Sequence, residues 1–401
     1  MRSVEEHQRV VAGLIAARPA VTAELADAEG RVLSDDVTAM VSLPVFDNSA
    51  MDGYAVRADE VASATTDHPV KLPVAEDIPA GRIDIPTLEP GTAHRIMTGA
   101  PTPAGATAVV PVEATDARTD VVTINAPSAE GRHIRRAGED VAAGTTVLRA
   151  GQVVTPAVVG LAAALGLDQL PVIPVQRVLV ISTGSELVSP GTPLRPGQIY
   201  ESNSVMLAAA LRETCAEVVA VATVSDDVAQ FTAVLDRYAA ESDLIITSGG
   251  VSAGAYEVVK DSFGRAGDQG VEFVKVAMQP GMPQGTGRVA GTPIVTLPGN
   301  PVSALVCFEV FIRPALRSAM GLPAPERPRR SAVLTEMLTS PAGKRQFRRG
   351  IFDASAGTAV SHGPPGSHHM RFLASANCLL DIPAEVTELP AGSQVQIWDL
   401  S

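Results

Sequence analysis

Four short runs of uninterrupted aliphatic residues constrain this chain more than anything else in it. "RVLVIS", "EVVAVATV", "DLIITS" and "PIVTLP" each have the length of a strand and show no alternation of polar and apolar residues. Such a strand is apolar on both faces and must be covered on both. The segments between the runs, such as residues 228–240 and 302–320, have helical length and period. Strand–helix alternation with strands of this kind predicts a doubly wound parallel sheet.

The flanking regions read differently. Residues 20–175 are mostly short β runs punctuated by proline and glycine, with "TAELADAEGRVLSDDV" alternating around a turn at residues 27–30. In "TPAVVGLAAALGL", Thr155 suits a helix cap, Pro156 the first helical position and Gly166 the end. "GLPAPERPRR" reads as a linker, and residues 331–401 as a small β domain. At the N-terminus, Ser3 and Glu6 fit a capping box, followed by an apolar face of Val10, Val11, Leu14 and Ile15. That start is charged at once and does not read as a signal peptide. No apolar run approaches the roughly 20 residues of a membrane span. A net charge of −13 argues against a general nucleic-acid binder. Cys215, Cys307 and Cys378 are far apart, odd in number and in apolar surroundings, so neither a disulfide framework nor a cysteine metal site is expected. The expectation is a cytoplasmic protein with no membrane partner.

In an open α/β sheet, ligands bind beyond the carboxyl ends of the strands. Three of those ends share a chemistry: Thr183, Gly184, Ser185 and Glu186; then Ser248, Gly249, Gly250 and Ser252; then Gly299, Asn300 and Ser303. Glycine lets backbone N–H groups approach a ligand, and a helix start favours an anion. No P-loop and no strand-linked dinucleotide fingerprint is present. Carboxylates gather at the same ends. Asp226 reads either as a helix cap or, with Glu257, as a ligand of Mg²⁺. Asp261 reads as a solvated helix residue. The loop holding Asp47, Asn48, Ser49 and Asp52 reads as a turn held by side-chain hydrogen bonds. "GKRQFRRG" clusters Lys344, Arg345, Arg348 and Arg349, either a solvated face or an anion partner. His368 and His369 lack a partner at metal-ligand spacing.

The stretches "FDNSAMDGYAV", "HRIMTGAPTPAGATAVV", "RRAGEDV", "VLVISTGSELV", "GQIYESNS", "SGGVSAG", "LPGNPVSALVCF", "RRG" and "GSH" resemble, in this order, the molybdopterin molybdenumtransferase family, which includes MoeA and the E domain of gephyrin. The resemblance implies a multidomain α/β plus β architecture. An N-terminal helix (1–18) joins an α/β domain (173–323), with a β linker domain (19–42 and 136–172), a β-rich lid (43–135) and a C-terminal β domain (324–401). It implies insertion of molybdate into adenylylated molybdopterin with Mg²⁺-dependent release of AMP. It further implies a homodimer, supplied by a molybdopterin adenylyltransferase. Carried over by motif, Asp52 and Thr98 belong to the lid. Asp140, Glu186, Asp226 and Glu257 are polar cleft positions, and Lys275 lies on a preceding strand. Pro298, Pro301 and Ser303 belong to the loop-to-helix site, and Arg349 and Ser367 face the molybdate.

Two departures from the family pattern stand out. Glu257 replaces an aspartate, and the usual K-P-G-K-P reads Gln279-Pro280-Gly281-Met282-Pro283. Two lysines that would face a dianion are therefore missing. The alternative to the enzyme is a non-catalytic paralogue that carries a pterin or acts as a scaffold.

Overall fold

The structure is a computed structural model that describes residues 1–250, Val259 and residues 270–401. The chain forms two compact units. The first comprises Met1–Val21, Gly30–Ser34 and Pro171–Ser401, and the second Thr22–Glu29 and Asp35–Leu170.

Three of the four aliphatic runs form the centre of the first unit; the fourth, Glu217–Val224, is an edge strand with exposed Val221, so it is not covered on both faces as expected. The unit's six-stranded sheet has the order Glu217–Val224, Arg177–Thr183, Leu244–Ser248, Thr292–Leu297, Pro283–Val289, Glu272–Lys275. The first four of these are parallel. The last two add antiparallel, through a tight turn in which Ala290 and Gly291 have φ of 48° and 88°. Two successive positive φ values suit the twist of a hairpin. Leu179, Ile181, Ile245 and Ile294 share a core with Phe231 and Leu235 of helix Val228–Tyr238. Their neighbours Val178, Val180, Ile246 and Val295 are equally buried on the other face, which explains the lack of alternation.

The expected helix at 302–320 is present with a defect. It runs as Pro301–Cys307, a widened π-type turn at Phe308–Ile312, and Arg313–Ala319. Pro314 has no N–H for the carbonyl of Val310, four residues back. Gln8 Nε2 donates to that carbonyl instead, at 3.1 Å. Gln8 lies on helix Val4–Leu14, capped by Ser3 Oγ accepting from Glu6 N.

The tail folds into a closed barrel. Its strand order is Arg345–Asp353, Thr358–Ser361, Arg329–Leu334, Gln394–Asp399, Cys378–Ile382, and the last pairs back with the first. Closure removes exposed sheet edges. Met278–Gln279 joins the same sheet beside Arg345 and Gln346. That pairing brings the segment after the edge strand against the start of the barrel.

In the second unit a five-stranded sheet has the order Ala108–Pro111, Gly53–Val56, Ala93–Ile96, Val70–Ile78, Val121–Ile124. Helix Pro156–Ala164 has the Thr155 cap and Pro156 start expected of it. The expected turn at 27–30 is partly a helical turn, Leu25–Ala28, and Leu25 N donates to Asp168 O at 3.0 Å. One cysteine expectation also fails. Cys307 and Cys378 are buried, but Cys215 is exposed: it takes φ of 68° just past helix Asn203–Glu213, and its side chain is left in solvent.

Candidate active site

The carboxyl ends of the parallel strands open into a cavity of about 970 Å³. Thr183, Gly184 and Glu186 line it from one strand end, and Ser248, Gly249 and Gly250 from the next. Pro298, Gly299, Asn300, Pro301 and Ser303 line it from the third. Asp226, Gln279, Met282, Lys344 and Ser367 complete the part relevant to chemistry.

Two of these glycines, Gly184 and Gly249, do not offer their amides to a ligand. Gly184 N donates to Val224 O at 3.0 Å and Gly249 N to Leu297 O at 3.1 Å, so both amides are spent on neighbouring strands. What Gly249 requires is close approach to backbone, whereas Gly184 faces only the movable end of the Glu186 side chain. A Cβ on Gly249 would lie 2.6 Å from Thr183 O, and one on Gly184 would lie 2.7 Å from a Glu186 carboxylate oxygen. Both also have positive φ, 95° and 157°. The helix start offers fewer amides than expected as well: Pro301 has none, and Val302 N donates to Ser367 O at 3.1 Å.

Asp226 is not the helix cap. Asp227 fills that role, accepting from Ala229 N at 2.8 Å and Gln230 N at 3.4 Å. Asp226 Oδ2 instead accepts from Ser185 N and Oγ at 3.2 and 3.1 Å, while Asp226 N donates back to Ser185 Oγ at 3.0 Å. The carboxylate is thus held at the cavity wall by the neighbouring loop.

Two further residues organise the floor. Asn203 Nδ2 donates to Ser248 Oγ at 2.8 Å and Gly299 O at 2.6 Å, which joins two of the three loops. Its Oδ1 is buried and has no partner among the described residues, as has Thr183 Oγ1. Glu201, 4% exposed, accepts from Ser182 Oγ, Ser204 N and Ser204 Oγ at 2.5–2.8 Å. In "GQIYESNS" these residues look like an ordinary polar helix start, and nothing local signals that they bind distant loops.

The basic run of the barrel is not a solvated face. Arg345 is bound to Asp381 by two hydrogen bonds of 2.7 and 2.6 Å and to Glu5 at 2.6 Å. Arg348 Nε donates to Ser361 Oγ at 2.6 Å. Arg349 is 3% exposed and does not line the main cavity. Its guanidinium donates to the carbonyls of Pro364, Gly366 and His369, the loop that carries Ser367. Burial, and secondarily Arg348, pushes the Arg349 pKa below the usual arginine value.

The remaining candidates lie elsewhere. Lys275 is exposed at the end of the edge strand, outside the cavity lining. Asp52, Thr98 and Asp140 belong to the second unit. There Asp52 accepts from Thr98 N and Oγ1, both at 2.7 Å, and these bonds hold its pKa below the usual carboxylate value. Asp140 is exposed. Ser252, Glu257 and Asp261 lie outside the described residues. Among the described residues there is no group of three or more histidine, cysteine or acidic side chains able to hold a metal.

A doubly wound sheet with this cavity, in one chain with a closed barrel and a β-rich unit, defines the class of multidomain proteins built on a molybdopterin-binding domain. Residues 179–318 match the family described as "Probable molybdopterin binding domain". Residues 2–166 match "MoeA N-terminal region (domain I and II)" and residues 331–400 "MoeA C-terminal region (domain IV)". The chain belongs to the MoeA family. It is 73% identical, over 100% of both chains, to a Mycobacterium tuberculosis protein named molybdopterin molybdenumtransferase 2. A Haemophilus influenzae molybdopterin molybdenumtransferase is 34% identical over 93% of this chain and 92% of its own. A solved molybdopterin biosynthesis MoeA protein from Pyrococcus horikoshii covers 100% of this chain at 28% identity with a TM-score of 0.72. No helix among the described residues is long and apolar enough to cross a membrane.

Proposed function

We propose that this chain is a molybdopterin molybdenumtransferase of molybdenum-cofactor biosynthesis, inserting molybdate into adenylylated molybdopterin with release of AMP. The observation that carries this reading is the full-length similarity to transferases of that name, together with a cavity lined by hydroxyls and carboxylates. A non-catalytic carrier or scaffold is not favoured by that similarity. The cavity's volume lies near the upper end of the range for small-molecule sites, which suits a substrate as large as a pterin bearing a nucleotide.

Mg²⁺ is part of the proposal. Asp226 and Glu186 both line the cavity, and Asp226 Oδ1 has no hydrogen-bond partner among the described residues. One or two carboxylates with substrate phosphates and water suffice for Mg²⁺, so the donor set fits. When bound, the ion would neutralise charge on the phosphoanhydride. The chain's own part includes fixing the carboxylate at the cavity wall: Ser185 N and Oγ hold Asp226 Oδ2 in place. Glu257 would be a further carboxylate ligand of the cation beside Asp226.

The reading also includes a cytoplasmic homodimer that receives its substrate from an adenylyltransferase. In it, Asp52, Thr98 and the lid at 43–135 serve the partner's cleft, and Asp140 and Lys275 add polar contacts. The test is AMP release and cofactor formation by purified protein given adenylylated molybdopterin and molybdate, with and without Mg²⁺. Asp226→Ala should abolish AMP release while the fold is kept. Turnover indifferent to Mg²⁺ and to Asp226→Ala would sink the assignment. Mixed dimers of Asp52→Ala and Asp226→Ala chains should regain activity if the cleft is shared between subunits.

A further inference from the structure

The cavity is poor in positive charge for a site that must receive an oxyanion. Glu186, Glu201 and Asp226 line it, and Gln279 and Met282 bring no charge. Among the described residues a single lysine or arginine lines it, Lys344. The neighbouring cations are already committed: Arg345 to Asp381 and Glu5, Arg348 to Ser361, Arg349 to backbone carbonyls. Lys344 has no hydrogen bond or ion pair among the described residues.

Its backbone position is well defined. Gly343 N donates to Ala384 O and Arg345 N to Ala277 O, both at 2.9 Å. Gln279 pairs with Gln346, and the two side chains are joined by a 2.7 Å hydrogen bond from Gln346 Nε2 to Gln279 Oε1. Lys344 therefore stands where the 279–283 segment and the barrel meet, and it lines the same cavity as Ser367.

We propose that Lys344 is the cation that receives the incoming oxyanion, so that the residue leading into barrel strand Arg345–Asp353, and not the 279–283 segment, supplies the anion-binding charge in this chain. This rests on the transferase reading and names a specificity-determining residue for it. A flexible ammonium is a compact point charge with three donors, which suits a tetrahedral dianion of changing position.

The experiment compares Lys344→Met and Lys344→Arg with the unaltered protein. Half-maximal molybdate for cofactor formation is measured alongside calorimetric affinity for adenylylated molybdopterin without molybdate. Lys344→Met is expected to raise the molybdate requirement about tenfold, the effect of losing one charge-assisted contact of about 1.4 kcal/mol. Pterin-nucleotide affinity should stay unchanged, and Lys344→Arg should stay near the unaltered protein. An unchanged molybdate requirement in Lys344→Met overturns the proposal. So does a weakened pterin-nucleotide affinity with unchanged molybdate dependence, since the lysine would then serve the phosphates. If the unaltered protein neither binds adenylylated molybdopterin nor uses molybdate, the transferase reading itself falls and the role of Lys344 with it.

Discussion

Replacing Arg349 with alanine should loosen the Ser367 loop far more than it destabilises the protein. The guanidinium is 3% exposed and has no carboxylate partner among the described residues. Its closest bonds go to the Pro364 and Gly366 carbonyls, the latter at 3.1 Å. A hydrogen bond from a charged donor contributes about 1.5–3 kcal/mol, so the two together hold the loop by roughly twice that. Removing the side chain also removes a buried charge whose desolvation costs several kcal/mol, and this offsets most of the loss in global stability. The loop has no such offset. Its other anchor is Val302 N, which donates to Ser367 O at 3.1 Å, so the Val302 amide reports whether the loop is seated. If loop opening becomes easier by one bond's worth, about 1.5–3 kcal/mol, exchange at Val302 should accelerate roughly 10- to 150-fold. Hydrogen–deuterium exchange resolves this, with Ile246 of the central strand as the internal reference. An unchanged Val302 rate, or an equal rise at Ile246, would refute the reasoning.

Three further expectations follow from the same geometry. Gly249→Ala combines positive φ with a Cβ placed 2.6 Å from Thr183 O, whereas Gly191→Ala has a similar φ and nothing within 4 Å. The first should lower the melting temperature clearly more than the second, and equal losses would show that close approach is unimportant. His7 is fully buried between Arg2 and Gln284, and burial lowers its pKa to about 4. Between about pH 6.5 and 4 the unfolded chain binds the extra proton, so stability present above 6.5 is lost as pH falls, by up to roughly 3 kcal/mol. His7→Gln should remove that part of the slope in urea unfolding; an identical slope would contradict it. Finally, Gln279→Lys with Met282→Lys should lower the molybdate concentration for half-maximal cofactor formation, and no change would mean the anion sits elsewhere.

Features whose cause is local were legible in the sequence. Three of the doubly apolar strands, the Thr155 and Ser3 caps and the gathering of loops at the strand ends all follow from residue type and short spacing. Residues whose roles depend on distant partners were misread or missed. Asp226 and Asp227 are adjacent and chemically identical, and only the approach of Ser185, 41 residues away, separates the wall carboxylate from the cap. Asn203 joins loops 45 and 96 residues distant, which no local pattern reveals. Gly184 and Gly249 line the cavity, but their amides are consumed by neighbouring strands, and Gly249 is crowded by the carbonyl of Thr183.

The basic run shows the limit most clearly. Four cations in six residues suggest one positive patch, but a strand turns successive side chains to opposite sides. Arg345 and Arg349 fall on the same side as buried Phe347, and Arg348 on the other, with Lys344 just before the strand begins. Each then meets different surroundings: carboxylates for Arg345, a hydroxyl for Arg348, carbonyls for Arg349 and the cavity for Lys344. A charge run in a strand is therefore not evidence of one function. Each residue's charge is available to a ligand only if its own partners leave it so, and in this chain that condition selects Lys344.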